Sequence, residues 1–245
     1  MEKINSFLDT SDVQNKMSTK MSKRSIVVFP RDVWLYCIAP ILSPLDISRL
    51  RSICPTLRRY FRSHKSTNEL IEYSRSKSAD FCMAKSALYG YLDCVNFFIS
   101  KGADDWNEGM IGASKGGHLS LVEYFMSKKW RLSKTVRTMN ALMAVAAEGG
   151  HLPIVEYFIS KGADDWDWGM FGAAKGGHLS LVEYFISKGA NDWNEGLIRS
   201  ASGGSFELVK YFISKGSKYY FGEALREATY ENHTDIVVFL KEIMN

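Results

Sequence analysis

Beyond residue 78 the apolar and polar positions follow a pattern that returns along the chain. In LSLVEYFMSK, residues 119–128, Leu121, Val122, Phe125 and Met126 share one side at spacings of one, four and five, while Glu123 and Lys128 lie elsewhere. That spacing predicts a short amphipathic helix. Just ahead of it runs a stretch with a different composition, rich in small residues: Gly109, Gly112 and Ala113, echoed later by Gly169, Gly172, Ala173 and Ala174. Glycine costs a helix about 1 kcal/mol relative to alanine, so its use here predicts a first helix whose backbone comes close to its neighbours.

Punctuation residues mark where these helices begin and end. Asp105-Trp106-Asn107-Glu108 places an N-cap acid three residues ahead of a glutamate, a capping-box arrangement that Asp192 and Glu195 repeat. Gly116-Gly117 stops the first helix, because glycine accepts the left-handed conformation that closes a helix. Pro153 stands where Ser120 and Ser180 stand in related segments, which fits only at or near a helix start. Gly102, Gly162, Gly189 and Gly216 then end the second helices.

Aligned on the glycine before a histidine, the copies fall at Gly90, Gly117, Gly150, Gly177 and Gly204, with Asn232 in the same place at the end; the steps are 27, 33, 27, 27 and 28 residues. A period of this size is a repeat array. Two short helices cannot bury both their faces, so each unit is stable only when neighbours stack on it. The expected fold is all-α, a helix-turn-helix solenoid of about six short repeats over residues 78–245. At its start, residues 66–77 are expected to form a capping helix, because LIEYSRSK at 70–77 puts Ser74 and Arg75 where Phe and Ile would pack. At its far end Arg226, Glu227, Glu231, Lys241 and Glu242 predict a polar outer face.

Residues 29–61 do not share the repeat. Three short apolar helices can be read there, Val33 to Ile41, Leu45 to Ile53 and Thr56 to Phe61, with Pro30, Pro44 and Pro55 near their starts. An apolar set this large is poorly hidden by so small a unit, which predicts a partner for residues 25–65. Residues 1–24 are polar throughout and lack the apolar core of a signal peptide, so a disordered leader is expected. No run approaches the roughly 18 apolar residues of a membrane span. The four cysteines, Cys37, Cys54, Cys82 and Cys94, form no C-x-x-C and no zinc spacing. The expected location is therefore inside a cell, in the cytoplasm. A net charge of +4 spread over 31 basic and 27 acidic residues is too mild to mark a nucleic-acid protein.

The segment GASKGGHLSLVEYF, followed in other copies by ISKGADD, resembles ankyrin repeats, in which A-x-x-G-H-x-x-(I/V)-V joins two helices and G-A-D follows them. That resemblance implies a protein-binding module. The usual 33-residue unit carries a β-hairpin finger with T-P-L-H; most units here are six residues shorter and lack it, so tight loops are expected in place of fingers. The one 33-residue step, through KKWRLSKTVRTMN, also lacks the tetrapeptide and predicts an irregular loop or a longer helix.

Residues 29–61 resemble an F-box: Phe29-Pro30 at its start, S-P-L-D-I-x-x-L at Ser43 to Leu50, and Ile53-Cys54. Phe29 stands where leucine is usual, and the tryptophan often found after the cysteine is absent. The resemblance implies that Pro30, Val33, Trp34, Ile38, Leu42, Leu45, Ile47, Leu50 and Ile53 pack against the Skp-type adaptor of a cullin ubiquitin ligase while the repeats hold a protein target. The pairing of the two modules is similar to proteins of large DNA viruses.

Candidate chemistry is sparse. His118, His151 and His178 recur at one position of the repeat, with His233 in the last unit; neighbouring ones stand at least one repeat apart, roughly 10 Å in a helical stack, too far to share one ion. The pairs Asp104-Asp105 and Asp164-Asp165 sit at helix starts, where the helix dipole favours negative charge. With no phosphate loop, nucleophile elbow or H-E-x-x-H, neither an enzyme nor a cofactor, metal or small-molecule site is expected. Arg49, Arg51, Arg58, Arg59, Arg62 and Lys65 form a basic cluster without an aromatic platform and read as a solvated face.

One comparison inside the chain points to a site. Residues 104–125 and 164–185 differ at four positions only: Asn107, Glu108, Ile111 and Ser114 become Asp167, Trp168, Phe171 and Ala174. The last three pairs lie three apart, on one helical face. Exchanging Glu for Trp and Ile for Phe adds the residue types that dominate binding energies. The expected partner surface is therefore Asp167, Trp168, Phe171 and Ala174 with Glu108 and Ile111. The function implied is an adaptor joining a ligase to a target, with a non-ligase scaffold or decoy as the alternative.

Overall fold

The computed structural model describes residues 78–128, 135–217 and 219–244. The leader, the F-box-like segment with all its expected contact residues, and the capping helix at 66–77 lie outside the described residues. What is described is twelve helices in six pairs and, among the described residues, no strand: α1 (Ala79–Leu88) with α2 (Leu92–Ser100), α3 (Trp106–Gly116) with α4 (Leu119–Ser127), α5 (Val136–Glu148) with α6 (Leu152–Ser160), α7 (Trp166–Gly176) with α8 (Leu179–Lys188), α9 (Trp193–Ser202) with α10 (Phe206–Ser214), and α11 (Phe221–Tyr230) with α12 (Thr234–Met244). This is the all-α helix-turn-helix solenoid expected from the period.

The core runs through the stack as ladders of equivalent residues. From the second helices come Val95, Val122, Val155, Val182 and Val209 with Phe98, Phe125, Phe158, Phe185 and Phe212; from the first come Met83, Met110, Met143, Met170 and Leu197, and all are buried. Successive first helices pack on one another along the stack, so no pair owns a complete core.

The turn between the helices of a pair requires a left-handed residue. Gly90, Gly117, Gly150, Gly177 and Gly204 have φ between 76° and 82°, and Asn232, at 63°, is the one residue other than glycine with positive φ among the described residues. Asparagine tolerates that region better than most side chains, which is why the last unit can do without glycine.

The histidine that follows this glycine works between units. The Nε2 atoms of His118, His151, His178 and His233 lie 3.0–3.1 Å from the carbonyl oxygens of Leu88, Lys115, Glu148 and Ser202, each at the end of the preceding unit's first helix. The ring also covers that unit's left-handed glycine: a Cβ added to Gly90 would meet His118 at 2.5 Å, and one on Gly117 would meet His151 at 2.6 Å. At the α7/α9 junction Ser205 replaces the histidine and the strut is missing. A charged clasp reinforces the junctions on either side of α5, where Glu148 takes Lys115 at 3.1 Å and Lys175 at 3.3 Å.

A second tie holds the loops. Oδ1 of Asp80 accepts the backbone N–H groups of Asp104 and Asp105, Asn140 does the same for Asp164 and Asp165, and Asp167 for Asn191 and Asp192. This alters the expected capping box. Asp105 and Asp192 do cap their helices, accepting from Glu108 N and Glu195 N, but the reciprocal bond from the glutamate is not made. The N–H it would take already belongs to the acid of the previous unit, and Glu195 turns to Arg199 at 2.6 Å instead.

Glycine in the first helices sets the spacing between units. A Cβ on Gly112 would stand 2.3 Å from the Ala84 oxygen, and one on Gly172 would stand 2.1 Å from the Ala144 oxygen, so at these points helix lies directly on helix. The equivalent position in α5 is Val145. Accordingly α3 and α5 meet over less of their length than α1 and α3, or α5 and α7. The irregular unit resolves as the longer helix: α5 has 13 residues against 11 in α3 and α7, and starts one turn earlier relative to the turn glycine. At the far end Arg226, Glu231, Lys241 and Glu242 are exposed and Glu227 half-buried, but the expected polar face is interrupted by Tyr230, Val238, Ile243 and Met244, all exposed.

Candidate functional site

The looser junction between α3 and α5 leaves an apolar pocket of about 300 Å³. Helix α3 supplies Asn107, Met110 and Ile111; α5 supplies Arg137, Thr138, Ala141, Leu142 and Val145; Trp168 reaches it from α7. The sequence explains each wall. Val145 holds the helices apart where glycine would let them touch, Ala141 leaves room where the equivalent residues are Glu108 and Trp168, and the added turn of α5 brings Arg137 to the rim.

The residues expected from the internal comparison divide into three groups. Trp168, half-buried, and Ile111, 37% exposed, come together at this pocket although they belong to different units. Glu108 and Phe171 lie near by in chain order, Glu108 exposed and Phe171 half-buried, but neither lines it. Ala174 and Asp167 are corrected. Ala174 is fully buried, as is its counterpart Ser114, because one further step of three along the helix carries the row into the core. Asp167 spends its carboxylate on the loop ahead of α9, at 2.8 and 2.9 Å.

The substitution of Trp168 for an acid costs the helix no cap, since Trp168 N still donates to Asp165 Oδ1 at 3.0 Å. The α5 residues were invisible to the internal comparison because their unit has a different length. The available signal was the departure itself: alanine and valine at the two positions where the neighbouring units carry a large or charged residue and a glycine.

The histidines have no part in this site. Burial lowers the pKa of His118 from 6.5, the bond to the Leu88 carbonyl opposes that, and His151 adds to it. Among the described residues no group of His, Cys, Asp and Glu could hold a metal ion, and no helix is long and apolar enough to cross a membrane. Cys82 and Cys94 are buried thiols, and burial together with Asp93 pushes Cys94 up to about 11.

Residues 83–168 match the family model for Ankyrin repeats (3 copies). A comparison with curated proteins found no match. The matched stretch contains every residue that lines the pocket. The family that it is similar to is a protein–protein interaction module.

Proposed function

We propose that the chain is a protein-recognition adaptor whose target sits on the first-helix face at the α3–α5–α7 pocket. The observation that carries this reading is the pocket itself, lined by apolar side chains and edged by a half-buried tryptophan. Large aromatic side chains beside a concave apolar patch are the usual centres of binding energy. The chain performs no bond chemistry in this reading. Its finer form adds a Skp-type adaptor and a cullin ligase, held by residues 29–61 on the strength of their F-box resemblance.

The two parts separate by experiment. Trp168→Ala with Ile111→Ala should abolish capture of a target while leaving the thermal melt near that of the parent. A target retained by that variant refutes the face. Co-expression with a Skp-type adaptor should give a stable complex that Leu45→Glu or Leu50→Glu breaks. Target binding without any Skp complex would leave a scaffold or decoy and remove the ligase.

A further inference from the structure

Resting on that reading, the charge around the pocket identifies what fills it. Small molecules in apolar sites are oriented by a few converging polar groups. Here the two uncharged polar residues, Asn107 and Thr138, are engaged elsewhere in the protein, Thr138 with the hydroxyl of Thr135 at 3.0 Å. What remains is an apolar hollow with, among the described residues that line it, one cation at its rim.

That cation is singular. Of the three arginines among the described residues, Arg199 pairs with Glu195 and Arg226 with Glu223, whereas Arg137 is exposed and has no carboxylate within ion-pair distance among the described residues. Its position makes this more pointed. Arg137 lies in the first turn of α5, where the helix dipole disfavours a cation. The other first helices of the central units start with an aspartate cap and an acid in the first turn: Asp105 with Glu108, Asp165 with Asp167, Asp192 with Glu195. Helix α5 is capped by Thr135 and has no acid in its first turn. Arg137 therefore places positive charge at a helix end that would be more stable without it, beside the pocket.

We infer that the pocket takes one large apolar side chain from a partner protein segment whose flanking residues are acidic, with Arg137 pairing a carboxylate at the rim. A guanidinium and a carboxylate form two parallel hydrogen bonds, so the pair fixes orientation while the apolar residue supplies contact area.

A random peptide library displayed on phage and selected against the full chain tests this. The expected peptides share a Leu, Phe, Met or Trp with Asp or Glu within a few residues. Ala141→Phe, which fills the hollow, should weaken them at least tenfold, and Arg137→Glu about tenfold while favouring basic flanks. Arg137 is exposed, so its variant tests the charge independently of folding; the thermal melt serves as the control for Ala141→Phe. Peptides lost with Ala141→Phe but carrying neutral or basic flanks overturn the acidic partner and keep the binding face. Peptides indifferent to both variants, or no enrichment at all, overturn both.

Discussion

Gly172→Ala is a single added methyl group that should separate two helices. In an exposed helix this change would stabilise by up to about 1 kcal/mol, from backbone entropy. At position 172 the new Cβ would stand 2.1 Å from the Ala144 carbonyl oxygen and 2.8 Å from its carbon, against 3.4 Å or more for an ordinary contact. Neither atom is the free end of a side chain, so α7 must withdraw from α5 by on the order of 1 Å. A gap of that size forfeits roughly a quarter to a half of each pairwise dispersion contact along the junction. Overpacking costs about 1–3 kcal/mol, and contact with rigid backbone calls for the upper part of that range, about 2–3 kcal/mol; subtracting the helix gain leaves a net loss of about 1–2 kcal/mol. For a chain of this size that lowers the thermal midpoint by about 2–8 °C. Gly222→Ala is the matched control: it adds the same atom in α11, where nothing lies within 4 Å, and should be neutral or slightly stabilising. Thermal melts followed by circular dichroism read both. A Gly172→Ala chain as stable as the parent would refute the idea that glycine sets the unit spacing, and with it the account of why Val145 opens the pocket.

Three further outcomes follow from atoms already placed. The Ser114 hydroxyl is buried without a hydrogen-bond partner, so Ser114→Ala should stabilise by about 1 kcal/mol and Ala174→Ser should destabilise by a similar amount in urea titrations. Ser205 already has the backbone of the histidines it replaces, φ −88° and ψ 91° against −97° and 81° at His178. Ser205→His should therefore restore the strut over Gly177 and stabilise by about 1 kcal/mol; an unchanged urea midpoint would refute the strut. Because burial lowers the pKa of His118 below 6.5 in the folded chain, the unfolded chain binds the proton more tightly. Its contribution is complete above 6.5 and is lost as pH falls from there through the lower folded value. Glu148 behaves alike in a lower window: burial raises its carboxyl, but Lys115 and Lys175 prevail and hold it below 4.5, so its contribution fades as pH falls through that depressed value. Urea midpoints between neutral and acid pH should drop in the upper window, and His118→Ala should flatten that step.

The architecture was legible because it is written redundantly. A ladder such as Val95 to Val209 appears in every unit at a fixed distance from its glycine, so the period exposes helix, turn and core together. Ties between units were less legible. That Asp80 and Asp167 hold the next loop, or that a histidine ring covers the glycine of the unit before it, depends on residues 24 to 36 apart meeting in space, and a capping rule that looks only along one helix assigned the same backbone N–H to a different acceptor. The site was half legible. Comparing two nearly identical copies isolated Trp168 and Ile111, but the step of three that led to Ala174 passed from the surface into the core within two turns. The α5 wall had no equal-length copy to be compared with.

The unit that breaks the period is also the unit that makes the pocket, and these are one fact seen twice. A uniform array with glycine at every equivalent of Val145 would close each junction helix against helix, as at Gly112 and Gly172, and would present no hollow. Units of 27 residues have little loop to spare for recognition, so distinctiveness must come from the helices and the gaps between them. In the third unit the longer helix, Arg137 with no ion pair among the described residues, the small Ala141 and the wedge Val145 occur together, each a departure from the neighbouring units. Residues that weaken a repeat locally while converging on one surface are best understood as serving what that surface holds.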